Sequence, residues 1–194
     1  MEAIRTFVAL RLPSWVQKTV AEVQNRIHVP GIRVRWVEPE NFHLSLRFLG
    51  DMPVDRLESV YGAVEKGCAG VRAFEVSLEG IGAFPNLRRP RVIWVGLERG
   101  REEVARLAAS IEDCLEEVGF AREERPFKAH ATLGRVKDFS PAVRMLGERA
   151  AAQHLEIDGI RVTRIEVMKS QLTRQGPIYT VLREVALVGG EGSE

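Results

Sequence analysis

Two cysteines, no long apolar run and almost no net charge set the first limits on this chain of 194 residues. Cys68 and Cys114 fall inside helix-like apolar patterns, so no disulfide framework is expected; they read as small buried hydrophobes in a reducing cytoplasm. Residues 1–12 are too short, and too broken by Arg5 and Arg11, to read as a leader, and no apolar stretch approaches spanning length, so no membrane partner is expected. The 28 basic and 27 acidic side chains leave a formal charge of +1, and a nucleic-acid partner would therefore need a local basic patch. No set of His, Cys and carboxylates has ligand spacing, so neither a metal nor a cofactor is expected. With 45% hydrophobic and 28% charged residues the composition is that of an ordinary globular protein. One domain of two lobes over residues 1–188 is expected, followed by a flexible tail at 189–194.

What is present concentrates in Asn41–Gly50. Apolar and polar residues alternate there, so an extended strand would send Phe42, Leu44, Leu46 and Phe48 to one face and His43, Ser45 and Arg47 to the other. The pattern returns in residues 127–135, where His130 and Thr132 again share a face. Strict alternation puts Arg135 on the opposite face, unless a bulge at Gly134 turns it back.

The rest of the chain supplies a frame for these two strands. Residues 4–12 read as a strand, and Ser14 and Gln17 have capping-box spacing for a helix with Val16, Val20, Val23 and Ile27 on one face. Residues 32–37 read as extended, and Asp51 and Pro53 as the opening of a helix through Val54, Leu57, Val60 and Val64. Phe74, Val76 and Leu78 form a strand that ends in a glycine-rich turn, residues 80–85, without phosphate-loop spacing. A strand at 92–97, a helix carrying Val104, Leu107, Ile111 and Leu115 and stopped by Gly119, a short helix at 141–152, and closing strands at 157–169 and 178–188 complete the reading. The order strand, helix, histidine strand thus occurs twice. Two copies about a pseudo-twofold axis would bring both histidine strands to one groove.

Two facing imidazoles suit general acid and general base in one displacement, since an ordinary pKa of roughly 6.5 populates both forms near neutrality. The hydroxyls of Ser45 and Thr132 would stabilise a tetrahedral anion between them, as phosphoryl transfer requires, and the scheme needs no metal. Two such motifs among four histidines is roughly a one-in-a-hundred accident. His28 and His154, with no hydroxyl two residues on, read as structural.

His43-Leu44-Ser45-Leu46 and His130-Ala131-Thr132-Leu133 resemble the paired His-x-Thr/Ser-x motifs of the two-histidine phosphoesterases. The stretches 5–10, 35–43, 48–50, 90–94, 125–128 and 176–179 are similar to the LigT-like RNA 2′,3′-cyclic phosphodiesterases, also called RNA 2′-5′ ligases. That resemblance implies a bilobal α+β fold of antiparallel sheet with flanking helices, and hydrolysis of RNA 2′,3′-cyclic phosphate ends to 2′-phosphates by a cytoplasmic monomer with no obligate protein partner. It implies His43 as proton donor, His130 as proton acceptor, and Arg135 as a phosphate ligand; Arg47 is a second substrate-binding candidate. Ser45 stands where the family more often has threonine. Ligation to a 2′-5′ bond in the same site, or RNA-end binding without chemistry, are the alternatives. Arg88, Arg89 and Arg91 read equally as a solvated turn or, with Arg33, Arg35, Arg47, Lys128 and Lys137, as the rim of a groove for an RNA end. Trp36, Trp94 and Phe84 read as core or lobe-interface residues rather than base platforms.

Overall fold

The structure is a computed structural model and describes residues 2–173 and 176–190. Most of the expected tail, residues 191–194, lies outside the described residues, while Gly190 N–H still donates to Leu187 O at 3.0 Å. β1 (Ala3–Arg11) leads into α1 (Ser14–Ile27), whose buried face is the predicted one. The capping box is not formed: Pro13 is the cap, and Gln17 Nε2 donates to Leu12 O at 2.8 Å instead. β2 (Val34–Trp36) and a 3-10 turn at Pro39–Asn41 precede β3 (His43–Pro53). β3 continues through Asp51 and Pro53, where the sequence pattern predicts a helix start; a 3-10 turn at Val54–Arg56 delays α2 (Leu57–Cys68).

β4 (Phe74–Phe84) absorbs the glycines read from sequence as a turn. Gly80, at φ +67°, marks a register shift against the neighbouring strand, and a Cβ at Gly82 would lie 2.2 Å from the Trp94 indole. These glycines therefore serve a bulge and a close contact inside a strand. β5 (Val92–Leu97), α3 (Arg101–Glu117), β6 (His130–Val136) and α4 (Arg144–Ala151) follow as the periodicity predicts. The single strand expected at 157–169 is instead β7 (Glu156–Val162) and β8 (Arg164–Leu172), before β9 (Pro177–Ala186). The break at Thr163 is where the chain leaves β4 for β1, at the other end of the sheet.

The strands form one antiparallel sheet in the order β7-β4-β5-β6-β3-β1-β8-β9, with β2 added against β6. The two ends of the chain build one lobe, β3-β1-β8-β9, and its middle builds the other. They meet at β3 and β6, where Leu44 and Ala131 are the one paired position. β1-α1-β3 and β5-α3-β6 are the repeated unit, and the class is α+β. The apolar faces of both lobes and all four helices merge in a single core cluster. Cys68 and Cys114 are free and buried in it, and burial pushes the Cys68 thiol up to about 12. Among the described residues no helix is long and apolar enough to cross a membrane.

Candidate active site

The single pairing of Leu44 with Ala131 fixes the geometry between the lobes. Antiparallel register places His43 opposite Thr132 and Ser45 opposite His130, so the two imidazoles lie on a diagonal with a hydroxyl across from each. In a regular ladder such diagonal neighbours are about 7–8 Å apart, and somewhat less between Cβ atoms.

Both imidazoles are held in the same way. His43 Nδ1–H donates to Asn41 O at 2.7 Å, and His130 Nδ1–H donates to Lys128 O at 2.6 Å. A carbonyl can only accept, so Nδ1 carries the proton in each ring and Nε2 is left for chemistry. His43 Nε2 lies 3.1 Å from Ser45 Oγ. Rings support each imidazole edge-on: Tyr179 at 5.2 Å from His43, and Phe84 at 5.1 Å from His130, centroid to centroid. Trp94 also faces His130, at 6.1 Å, and Phe7 faces His43 at 5.0 Å. Phe84 and Trp94 are thus the wall behind a histidine rather than general core. Burial is the main cause that lowers both histidine pKa values from 6.5; Arg135 lowers both further, while the carbonyl bonds oppose the shift. Arg11, paired laterally with His43 on β1, lowers its pKa as well.

Bulges decide which of the remaining candidates reach this face. β5 and β6 slip register between Ile93 and Trp94, leaving Leu133 as the extra residue, so Arg135 pairs with Val92 on the face of Thr132 and His130. This is the turn-back that strict alternation lacked. Gln24 and Val37 hold the bulge: Gln24 Nε2 donates to both Leu133 O and Val37 O at 2.8 Å, and Val37 N–H to Leu133 O at 2.9 Å. β3 slips at the equivalent place, with Ala9 paired to Ser45 and Val8 to Arg47. There the slip takes Arg47 off the face of His43 and turns it towards α3, where it still lines the cavity shared with His130 and Arg135. It is 9% exposed, lies 3.5 Å from Glu112 and 3.3 Å from Glu123, and donates to the carbonyls of Ala121 and Phe48. Phe48 takes the reactive face in its stead, stacked on Phe7 at 5.6 Å and 52% exposed. Counting five residues from each histidine, Phe48 and Arg135 are equivalent positions.

A cavity of about 700 Å³ opens at this centre. It runs from Ser45, His130, Thr132 and Arg135 through the split between β3 and β6 to the small residues Ala105, Ala108 and Ala109 of α3, with Arg125 to Lys128 as its outer wall. His28 and His154 are exposed and away from it, as the sequence suggested. The sequence reading missed Gln24, Phe7 and Arg11 as parts of the site. A buried glutamine on an otherwise apolar helix face was the available signal for the first; nothing local marked the other two.

The profile of LigT-like phosphoesterases matches this chain twice in tandem, over residues 10–94 and 95–179. The chain belongs to the LigT-like phosphoesterase family. Each matched segment contains one helix and one histidine strand of the repeated unit, α1 and β3 in the first and α3 and β6 in the second. Among relatives, the RNA 2′,3′-cyclic phosphodiesterase of Methanothermobacter thermautotrophicus is 34% identical over 180 residues, 91% of this chain and 95% of that protein. That of Aeropyrum pernix is 37% identical over 171 residues, 86% and 93% of the two chains. Among solved structures, a Thermus thermophilus protein superposes with a TM-score of 0.78 at 29% identity, over 94% of this chain and 97% of its own. Escherichia coli LigT complexed with 3′-AMP gives 0.74 at 25% identity, over 96% and 99%. The LigT-like fold expected of a bilobal α+β chain is therefore the fold observed.

Proposed function

We propose that this LigT-like phosphoesterase hydrolyses RNA 2′,3′-cyclic phosphate ends to 2′-phosphomonoesters, with the two imidazoles as its acid–base pair. The observation that carries the reading is the matched pair of Nδ1–H bonds to carbonyls on the two strands that join at Leu44 and Ala131, which leaves Nε2 of each histidine unbound to the backbone. Neutral His130 takes a proton from water as the water oxygen bonds to phosphorus. The bond from phosphorus to the 3′ oxygen breaks, and His43, protonated at Nε2, gives that oxygen its proton. The product carries a 2′-phosphate and a free 3′-hydroxyl, and proton exchange with solvent resets the pair. Ser45, Thr132 and Arg135 hold the non-bridging oxygens, where charge accumulates. Arg135 is aimed at that position by the Leu133 bulge.

The protein acts as a cytoplasmic monomer on RNA ends and on nucleoside 2′,3′-cyclic phosphates, with residues 1–188 as one domain. The two lobes share a core, and each matched segment supplies one histidine. Turnover in water enriched in oxygen-18, with EDTA present, tests the scheme. One heavy oxygen on the 2′-phosphate at an undiminished rate supports direct attack by water; loss of turnover in EDTA contradicts the imidazole pair as sufficient.

A further inference from the structure

Arg5, Arg11, Arg99, Arg101, Arg122 and Arg183 are among the arginines that face carboxylates within 4 Å, whereas other cations on the surface do not. Four of the cations without such a partner lie together on one strip. β2 and β6 pair Arg35 with Arg135 and Val34 with Val136, and Lys137 N–H donates to Arg33 O at 2.8 Å. Alternation from Arg135 puts Lys137 on its face, and from Arg35 puts Arg33 there too. All four side chains are exposed and none has a carboxylate within 4 Å among the described residues; Asp138 is the nearby acid, its pKa lowered by the Ser140 N–H bond and in part by Arg33. Like charges directly opposite on a ladder destabilise it, so Arg35 beside Arg135 is a cost unless an anion lies across them. Beyond the end of β6, Phe139 is the most exposed large apolar side chain described, at 78%. The Arg91 guanidinium lies 4.0 Å over its ring and is anchored by donating to Asp138 O at 2.7 Å.

We infer that this strip is a track for single-stranded RNA, in which Arg35, Arg33 and Lys137 follow the phosphates upstream of the terminal nucleotide and Phe139, backed by Arg91, stacks an upstream base. Exposed cations in line with an exposed aromatic are the two components of sequence-tolerant single-strand binding. The track starts at Arg135, beside the terminal phosphate, and runs along a strand that rises about 3.3 Å per residue. It carries the strand away from the histidines and leaves them to the terminal phosphate. Arg88 and Arg89 lie off this strip, in an exposed turn where their backbone N–H groups donate to the Asn86 side-chain oxygen. The inference rests on the RNA-end reading above and extends it from the terminal nucleotide to the chain that bears it.

The test compares a nucleoside 2′,3′-cyclic phosphate with a short oligoribonucleotide ending in the same group, for wild type, Phe139→Ala and the double variant Arg33→Gln/Lys137→Gln. The expected result is unchanged kcat/KM on the nucleoside for all three proteins. On the oligonucleotide Phe139→Ala loses about tenfold, and the double variant lowers the slope of log binding against log salt by about 1.4, from two contacts at about 0.7 each. Equal losses on both substrates, or no loss on the oligonucleotide, overturn the track. If wild type turns over neither substrate the catalytic reading fails, and fluorescence anisotropy of the same oligonucleotide still decides the track: an unchanged salt slope in the double variant sinks it.

Discussion

Replacing Gln24 by Leu should damage catalysis through a carbonyl group 109 residues away in sequence. The Gln24 amide is buried and donates to Val37 O and Leu133 O, and the second of these belongs to the bulge that aims Arg135. Two hydrogen bonds at about 1 kcal/mol each, plus a carbonyl left short of a donor, make the stability loss about 2–3 kcal/mol. That is a large part of the roughly 5–15 kcal/mol typical of a domain. Leu133 O keeps the Val37 N–H, so the strand still pairs and the protein folds. If the bulge relaxes, Arg135 loses a charge-assisted contact to phosphate of about 1.5–3 kcal/mol, or roughly 10- to 150-fold in kcat/KM. Urea unfolding gives the first quantity and initial rates give the second. The decisive comparison is the cycle with Arg135→Met. Gln24→Leu added to Arg135→Met should lower stability again but cost little further activity; additive losses in kcat/KM, or an unchanged urea midpoint, would refute the link between glutamine and bulge.

Arg47→Met should leave Glu112 and Glu123 without their cation and release the segment before β6, destabilising by about 1.5–3 kcal/mol, as for the lost bonds of one buried guanidinium to partly exposed carboxylates. Limited proteolysis between residues 121 and 128 reads the release, and Arg47→Lys should not rescue it, since an ammonium lacks the planar fork that reaches both carboxylates and the Ala121 carbonyl. Gly147→Ala should be among the most damaging small substitutions, because its Cβ would lie 1.7 Å from Leu87 O, and thermal unfolding should show a loss of over about 4 kcal/mol. Both histidines have folded pKa values below 6.5, so the unfolded chain binds more protons once the pH drops under that value. Stability should therefore fall as pH falls from about 6.5 through the folded pKa values, and urea midpoints of His43→Gln should show a shallower fall.

Period and punctuation made most of the fold legible. The 3.6-residue stripes placed α1, α2 and α3, a continuous apolar run placed β5, and alternation placed both histidine strands. The misses share one cause, that pairing partners are chosen by tertiary context. Gly80 and Gly82 signal a turn in isolation, yet they lie in a strand because a bulge and the Trp94 indole need residues without side chains there. Thr163 looks like a strand interior until β7 and β8 are seen to join opposite ends of the sheet. Within the site the repetition of His-x-hydroxyl was enough to place His43, Ser45, His130 and Thr132 on one face. Arg135 and Arg47 were beyond strict alternation, since equivalent bulges bring one onto the histidine face and turn the other towards the α3 end of the same cavity.

The most direct measurement is hydrolysis of a nucleoside 2′,3′-cyclic phosphate in EDTA by wild type, His43→Ala and His130→Ala, with the product isomer assigned by phosphorus NMR. The paired-imidazole account predicts a 2′-phosphate from wild type and a loss of at least about a hundredfold in each variant, the usual reach of one acid or base. A 3′-phosphate product, or a single variant that keeps near-wild-type turnover, would contradict it.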